Sequence, residues 1–330
     1  MSRTAVVKRS LGFALAASVL ATLVPATVSA QADWPNKPVR IVLGFPPGGS
    51  SDVVARQLAQ YLGAALGQQF VVENRAGAGG NLGVDVIAKA APDGYTIGLS
   101  TSGPLANNKL LYKNMPYDPV KDLTPIALVG EIPLVIAASP AVKAASLKEF
   151  VTLLKSGTAQ VSAGHPGNGT IGHLALESFK ATTGTSPQAI PYKGDTPAMT
   201  DLLGGQIQIV LAPVTAFIPN ILGGKLTGLA VTSKKRFSRL PNVPTALEQG
   251  VNLEATVWFG IIGPAGLPPV IVMRLNQEIN TYTSSTDGRA RLAQFGMEEA
   301  NGGPELLGNL MQTEAARWKP VVDAAKVSLD

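Results

Sequence analysis

Four loops carry the residue types that could do chemistry. The first, FPPGGSSD, runs through Phe45, Pro46, Pro47, Gly48, Gly49, Ser50 and Ser51 to Asp52. Its glycines allow close backbone approach and its serines can cap a following helix, so its N–H groups form a nest for an anion. The second, Ser100-Thr101-Ser102-Gly103, gathers hydroxyls at a strand end. The third, His165-Pro166-Gly167-Asn168-Gly169-Thr170, is again a glycine loop opening a helix, with His173 in that helix's first turn. The fourth, Pro191-Tyr192-Lys193-Gly194-Asp195-Thr196-Pro197, sets an acid beside a glycine. The run from Gly77 to Gly80 has the glycines as well and reads as a tight turn.

Two glycine loops in corresponding places suggest two helix N-termini facing each other across a cleft. Each end favours an anion by ~0.3–1 kcal/mol, or ~2 kcal/mol when partly buried. Each hydrogen bond to a charged group adds ~1.5–3 kcal/mol. Four or five such contacts reach the ~8 kcal/mol of micromolar binding after ordering costs, with no arginine. Catalytic patterns are missing. There is no phosphate-binding G-x-x-x-x-G-K-[ST] and no G-x-S-x-G elbow, and Gly77-x-Gly79 leads to Leu82 where a dinucleotide loop needs glycine. The two histidines have no zinc-type spacing, and there is no cysteine. No cofactor and no metal are expected. A nucleophile–base pair of His173 with Ser50 or Ser102 across the cleft stays open as the enzymatic alternative.

These loops need elements to hold them. Val39 to Phe45, Phe70 to Glu73 and Tyr95 to Leu99 read as strands, and Val53 to Leu66 and Leu82 to Ala90 as helices. That alternation argues for βαβ units on a parallel sheet. Pro125 to Val129 and Leu134 to Ala138 read as two strands too close together for a helical crossover. Ser146 then caps a helix over Leu147 to Leu154, and a second alternating series begins. It has strands near Gln160 to Ala163, Ala189 to Tyr192, Gln206 to Leu211 and Leu229 to Thr232, with helices over Ile171 to Ala181 and Pro197 to Leu203. Helices over Val270 to Tyr282 and Pro304 to Trp318 close the chain. The spacing implies an α/β protein of two lobes, the second inserted in the first. Ligands in such sheets sit outside the carboxyl ends of strands and in clefts between lobes.

The 330 residues are 45% hydrophobic and 15% charged, enough for a sizeable core. Arg3, Lys8 and Arg9 precede an apolar stretch from Leu11 to about Val24 and a small-residue site at Val28-Ser29-Ala30. This is the layout of a signal peptide over residues 1–30, cleaved after Ala30, and its apolar run is shorter than the ~20 residues of a spanning helix. Without those three basic residues the formal charge of +5 falls to +2. The one basic run, Lys234-Lys235-Arg236, reads as a solvated turn, so no nucleic-acid partner is expected.

The ordered segments WPNKPVRIVLGFPPGGSSDVVAR, VVENRAGAGGNLG, APDGYTIGLSTSG, HPGNGTIGHLA and PYKGDTPAMTDLLGGQIQI carry a resemblance. Across nearly all of the mature chain the sequence resembles the tripartite tricarboxylate transporter receptors, the Bug periplasmic solute-binding proteins. The resemblance implies a type II-like Venus flytrap, with lobe 1 over 31–129 and 229–330 and lobe 2 over 130–228. A small carboxylate would lie in a pincer of Phe45 through Ser51 against Gly167, Asn168, Gly169 and Thr170, with Ser102 and the Gly194-Asp195 turn lining the rest. The implied partners are membrane permease subunits, or a sensor-kinase ectodomain in the alternative reading, and the receptor is expected to work as a monomer. His165 stands where the family pattern has a small residue and is expected to touch the ligand's far end, weakening binding as pH rises through ~6.5. Asp195, at a variable position, is expected to favour an amine or hydroxyl.

Overall fold

A computed structural model describes residues 34–157 and 160–329, so the expected signal segment lies outside the described residues. The apolar run Val39–Leu43 forms β1, flanked in parallel by β2 (Phe70–Asn74) and β3 (Thr96–Thr101). Parallel neighbours need crossovers, supplied by α1 (Ser50–Leu66) and α2 (Asn81–Ala88). The first of these packs Val54, Leu58 and Leu62 inward at helical spacing and stops at Gly67, whose φ of 71° ends the helix in the left-handed region.

A short helix, α3 (Ser102–Leu105), follows directly on β3. Then comes β4, and here sequence and structure differ. The two short strands expected around Pro125 and Leu134 are one strand, Leu123–Ala138, of 16 residues. The intervening Gly130-Glu131-Ile132-Pro133 stays extended, and bulges with Gly130 at φ 155° bend it instead of breaking it. From Leu123 to Pro133 it pairs with a later strand, Thr256–Pro264; its far end pairs elsewhere.

That far end founds the second half of the sheet. The chain runs through α4 (Leu147–Lys155), β5 (Ser162–His165), α5 (Ile171–Thr183), β6 (Gln188–Pro191), α6 (Asp195–Leu203), β7 (Ile209–Pro213), α7 (Ile218–Leu222) and β8 (Thr227–Val231). Strands β7, β5 and β6 are parallel to one another, while β7 and β8 both pair antiparallel with the end of β4. Returning, β9 (Thr256–Pro264) inserts antiparallel between β3 and β4. The chain ends with α8 (Pro269–Ser284), α9 (Thr286–Gln294), the two-residue β10 (Glu298–Glu299) on β4, and α10 (Pro304–Ala325). The last helix runs past its expected end at Trp318 and through Pro320, because Leu307, Met311, Trp318 and Val322 keep one buried face continuous across the proline.

Two α/β lobes thus share one sheet through β4, the two-lobed fold that the sequence suggested. The chain crosses between the halves along β4 and again after β8. Fully buried Thr232 ties the crossings together: its N–H donates to Leu134 O (3.0 Å), its Oγ1 accepts from Leu134 N (3.0 Å), and its carbonyl accepts from Ala255 N (3.0 Å). No helix among the described residues is long and apolar enough to cross a membrane.

Candidate ligand-binding site between the lobes

The FPPGGSSD loop leaves β1 and enters α1 without a side-chain cap on its Gly49 N-cap. Its shape is held from below by Asp52, which sequence reading did not single out. The Asp52 carboxylate accepts from Gly48 N (3.1 Å), Arg56 Nε (2.8 Å) and Asn74 Nδ2 (3.0 Å), and Asn74 Nδ2 also donates to Phe45 O (2.9 Å). Burial opposes the Asp52 charge, but Arg56, the Gly48 N–H and Asn74 outweigh it and hold the carboxyl below its ordinary range. The Gly48 N–H is therefore committed within the loop. The first-turn N–H groups of Ser50, Ser51 and Asp52 have no intrahelical partner; that of Ser50 is taken by Asp195, which leaves those of Ser51 and Asp52 at this helix end.

The second-lobe loop between β5 and α5 is built the same way. Thr170 caps α5: its Oγ1 accepts from His173 N (3.4 Å) and donates to Gly167 O (2.7 Å). Gly167 N donates to His165 Nδ1 and Gly169 N to His173 Nδ1, both at 3.4 Å. The two imidazoles stack with centroids 4.7 Å apart. These glycine N–H groups are spent inside the loop, which leaves those of Ile171 and Gly172 at the head of α5 without intrahelical partners.

Between the two helix heads lies a cavity of about 30 Å³, room for no more than a few waters. The lobes are closed on it. Phe45, Pro46, Gly49, Ser50, Ser51, Thr170 and Asp195 line it, so these expected residues come together. Thr101, Pro166, Ile171, Gly172, Pro213, Val257 and Phe259 complete the wall. None of the lining side chains is cationic. The Asp195 carboxylate, 7% exposed, reaches across from the head of α6: its Oδ2 accepts from Ser50 N (3.0 Å) and Ser50 Oγ (2.8 Å). Burial pushes the Asp195 carboxyl above its ordinary range, against the lowering effect of the two Ser50 bonds.

Other expected residues sit elsewhere. Pro47 is exposed at the loop tip. Gly167 and Asn168 line a separate rim cavity of about 210 Å³ together with Gly77 to Gly80, Tyr112 and Lys193. The run from Gly77 to Gly80 is thus part of the cleft as well as a turn. Gly169 packs on Asn108. Ser102 is fully buried with no hydrogen-bond partner for its Oγ, and the neighbouring Thr101, the last residue of β3, lines the cavity instead. His165 corrects an expectation: it is fully buried behind the loop and does not line the cavity. Burial and the adjacent His173 push its pKa down to about 3, so it stays neutral where a ligand-contacting imidazolium was expected. No serine hydroxyl bonds to either histidine among the described residues, and no acidic or histidine cluster there could hold a metal. Val257, Phe259 and Pro213 come from distant strands, and no local signal marked the first two.

The jaws meet closely at glycines. A Cβ on Gly103 would come within 2.8 Å of the Gly169 carbonyl oxygen, and one on Gly194 within 2.8 Å of the Pro46 ring. Tyr112 OH donates to Asn168 O (3.4 Å) across the rim.

The family model of the tripartite tricarboxylate transporter family receptor matches residues 54–327. The chain belongs to that receptor family. The receptor is 38% identical to Protein BugT of Bordetella pertussis, over 91% of its own length and 92% of that protein's. Among solved structures it is similar to a Rhodopseudomonas palustris protein with adipate, at TM-score 0.87 and 33% identity over 89% of this chain and 99% of that one. It is also similar to MatC from Rhodopseudomonas palustris with bound malate, at TM-score 0.83 and 31% identity over 88% and 100% of the two chains.

Proposed function

We propose that this receptor captures a small carboxylate between its lobes and hands it to the membrane permease of a tripartite transporter, acting as a monomer in the periplasm after cleavage behind Ala30. The observation that carries the reading is the pair of helix heads, α1 and α5, opening into one cavity walled by neutral donors, apolar rings and the Asp195 side chain, with no cationic side chain in its lining. Such heads favour anions without needing a cation. The similar structures hold adipate and malate, both carboxylates. Lobe limits at 130 and 228 remain part of this reading, with the hinge placed on β4 near Gly130 and the return along β8 (Thr227–Val231). Ligand energy would hold the lobes shut, as in hinge closure generally.

The test is calorimetry on protein purified from the periplasm and freed of co-purified ligand by unfolding and refolding. One carboxylate from a panel of mono-, di- and tricarboxylic acids should bind one-to-one and be recovered unchanged. Conversion of a panel acid into a product would overturn the reading.

A further inference from the structure

Accepting the carboxylate-receptor reading, we infer that Asp195 takes the place of a ligand anion at the head of α1, so that this receptor selects acids carrying an ammonium or hydroxyl group. The cavity has two anion-favouring ends, and one is occupied from within. Asp195 Oδ2 accepts both the Ser50 N–H (3.0 Å) and the Ser50 hydroxyl (2.8 Å). Its other oxygen, Oδ1, has no hydrogen-bond partner among the described residues, while the side chain lines the cavity. An ionised carboxylate accepts at both oxygens, so with Asp195 charged Oδ1 offers a bond only to a donor. The head of α5, with the Ile171 and Gly172 N–H groups, remains for the ligand's carboxylate.

Charge points the same way. No cationic side chain lines the cavity, so a second ligand carboxylate would face Asp195 without compensation. An ammonium beside Oδ1 neutralises that charge, and a hydroxyl satisfies the oxygen without adding a like charge. A burial of 93% makes an unmatched partner at this position costly, which is how a polar group in a binding site rejects the analogue lacking its complement.

Matched acids test this. Alanine and lactate are titrated against propionate, malate and aspartate against succinate, and glutamate against glutarate. The wild-type receptor should bind the best donor-bearing acid at least tenfold more tightly than its plain match. Asp195→Asn and Asp195→Ala should shrink that ratio below threefold while the plain acids hold or gain affinity. Thermal melts establish that each variant is folded. Equal loss for plain and donor-bearing acids in both Asp195 variants would reduce the residue to a latch between lobes and overturn the inference. Wild-type preference for a plain dicarboxylate overturns it too, leaving the receptor reading intact. Binding of no acid by any of the proteins overturns both.

Discussion

His165 shows how one residue can look like a ligand contact and be a structural one. It ends β5, at the mouth of the loop that forms the second jaw, yet its ring stacks on His173 and its Nδ1 accepts from Gly167. In an unfolded chain a histidine takes up a proton near pH 6.5, whereas the folded protein keeps His165 neutral to about 3. The unfolded state therefore binds the extra proton across that window, and folding stability falls with falling pH by roughly 1.4 kcal/mol per unit from this group. Asp195, raised by burial, acts in the opposite direction, and Asp52, held low, loses its contribution only in stronger acid. The difference between wild type and His165→Ser isolates the histidine. The variant should show a shallower fall in urea midpoint between pH 6 and pH 4, and an unchanged slope would refute the assignment. Ligand affinity over the same window should show no step belonging to His165. The sequence exposed the loop but not the burial of its histidine, because burial depends on which side of β5 faces the helix layer.

Elements were legible where their signals are local. Glycine, serine and proline at strand ends announced the loops before α1 and α5, and helical spacing announced the helices themselves. The parts that escaped depend on distant pairing. β4 reads as two strands because Gly130 and Glu131 interrupt its apolar run, and only β9 and β10 alongside keep it whole. β9 itself, with two glycines among its apolar residues, was not expected, and so the cavity wall formed by Val257 and Phe259 was invisible as well. Asp52 could have been found, since Asp52 and Arg56 stand four apart on α1 and form an ion pair at 2.8 Å. The jaw contact of α3 gives a prediction at this scale. Gly103→Ala places a methyl group 2.8 Å from Gly169 O, a clash that exists only when the lobes are shut. The substitution should leave the melting temperature of the ligand-free protein unchanged or slightly raised, as alanine favours helix over glycine. Affinity for the best panel acid should drop at least tenfold. An unaffected affinity would mean that the jaws do not meet here in the bound form.

At the scale of the whole molecule, two lobes hang on β4 and on the return past Thr232, and glycines let the cleft close tightly, with Gly103 against the Gly169 carbonyl and Gly194 against the Pro46 ring. Their fold was legible from the alternation of strands and helices. How small the space between them is was not, because it depends on the angle at which the halves meet. One property of that space has an environmental consequence. Its wall attracts an acid with peptide dipoles and hydroxyls, and none of its lining side chains carries a positive charge for dissolved salt to shield. Mobile ions weaken contacts between exposed charges beyond ~10 Å at 0.1 M but screen partly buried interactions much less. Titrations at 0.02 M and 0.5 M sodium chloride should then give affinities within threefold of each other, where a receptor gripping its acid with exposed lysines or arginines would weaken far more. On that expectation, the salinity of its surroundings sets little of what the receptor can hold.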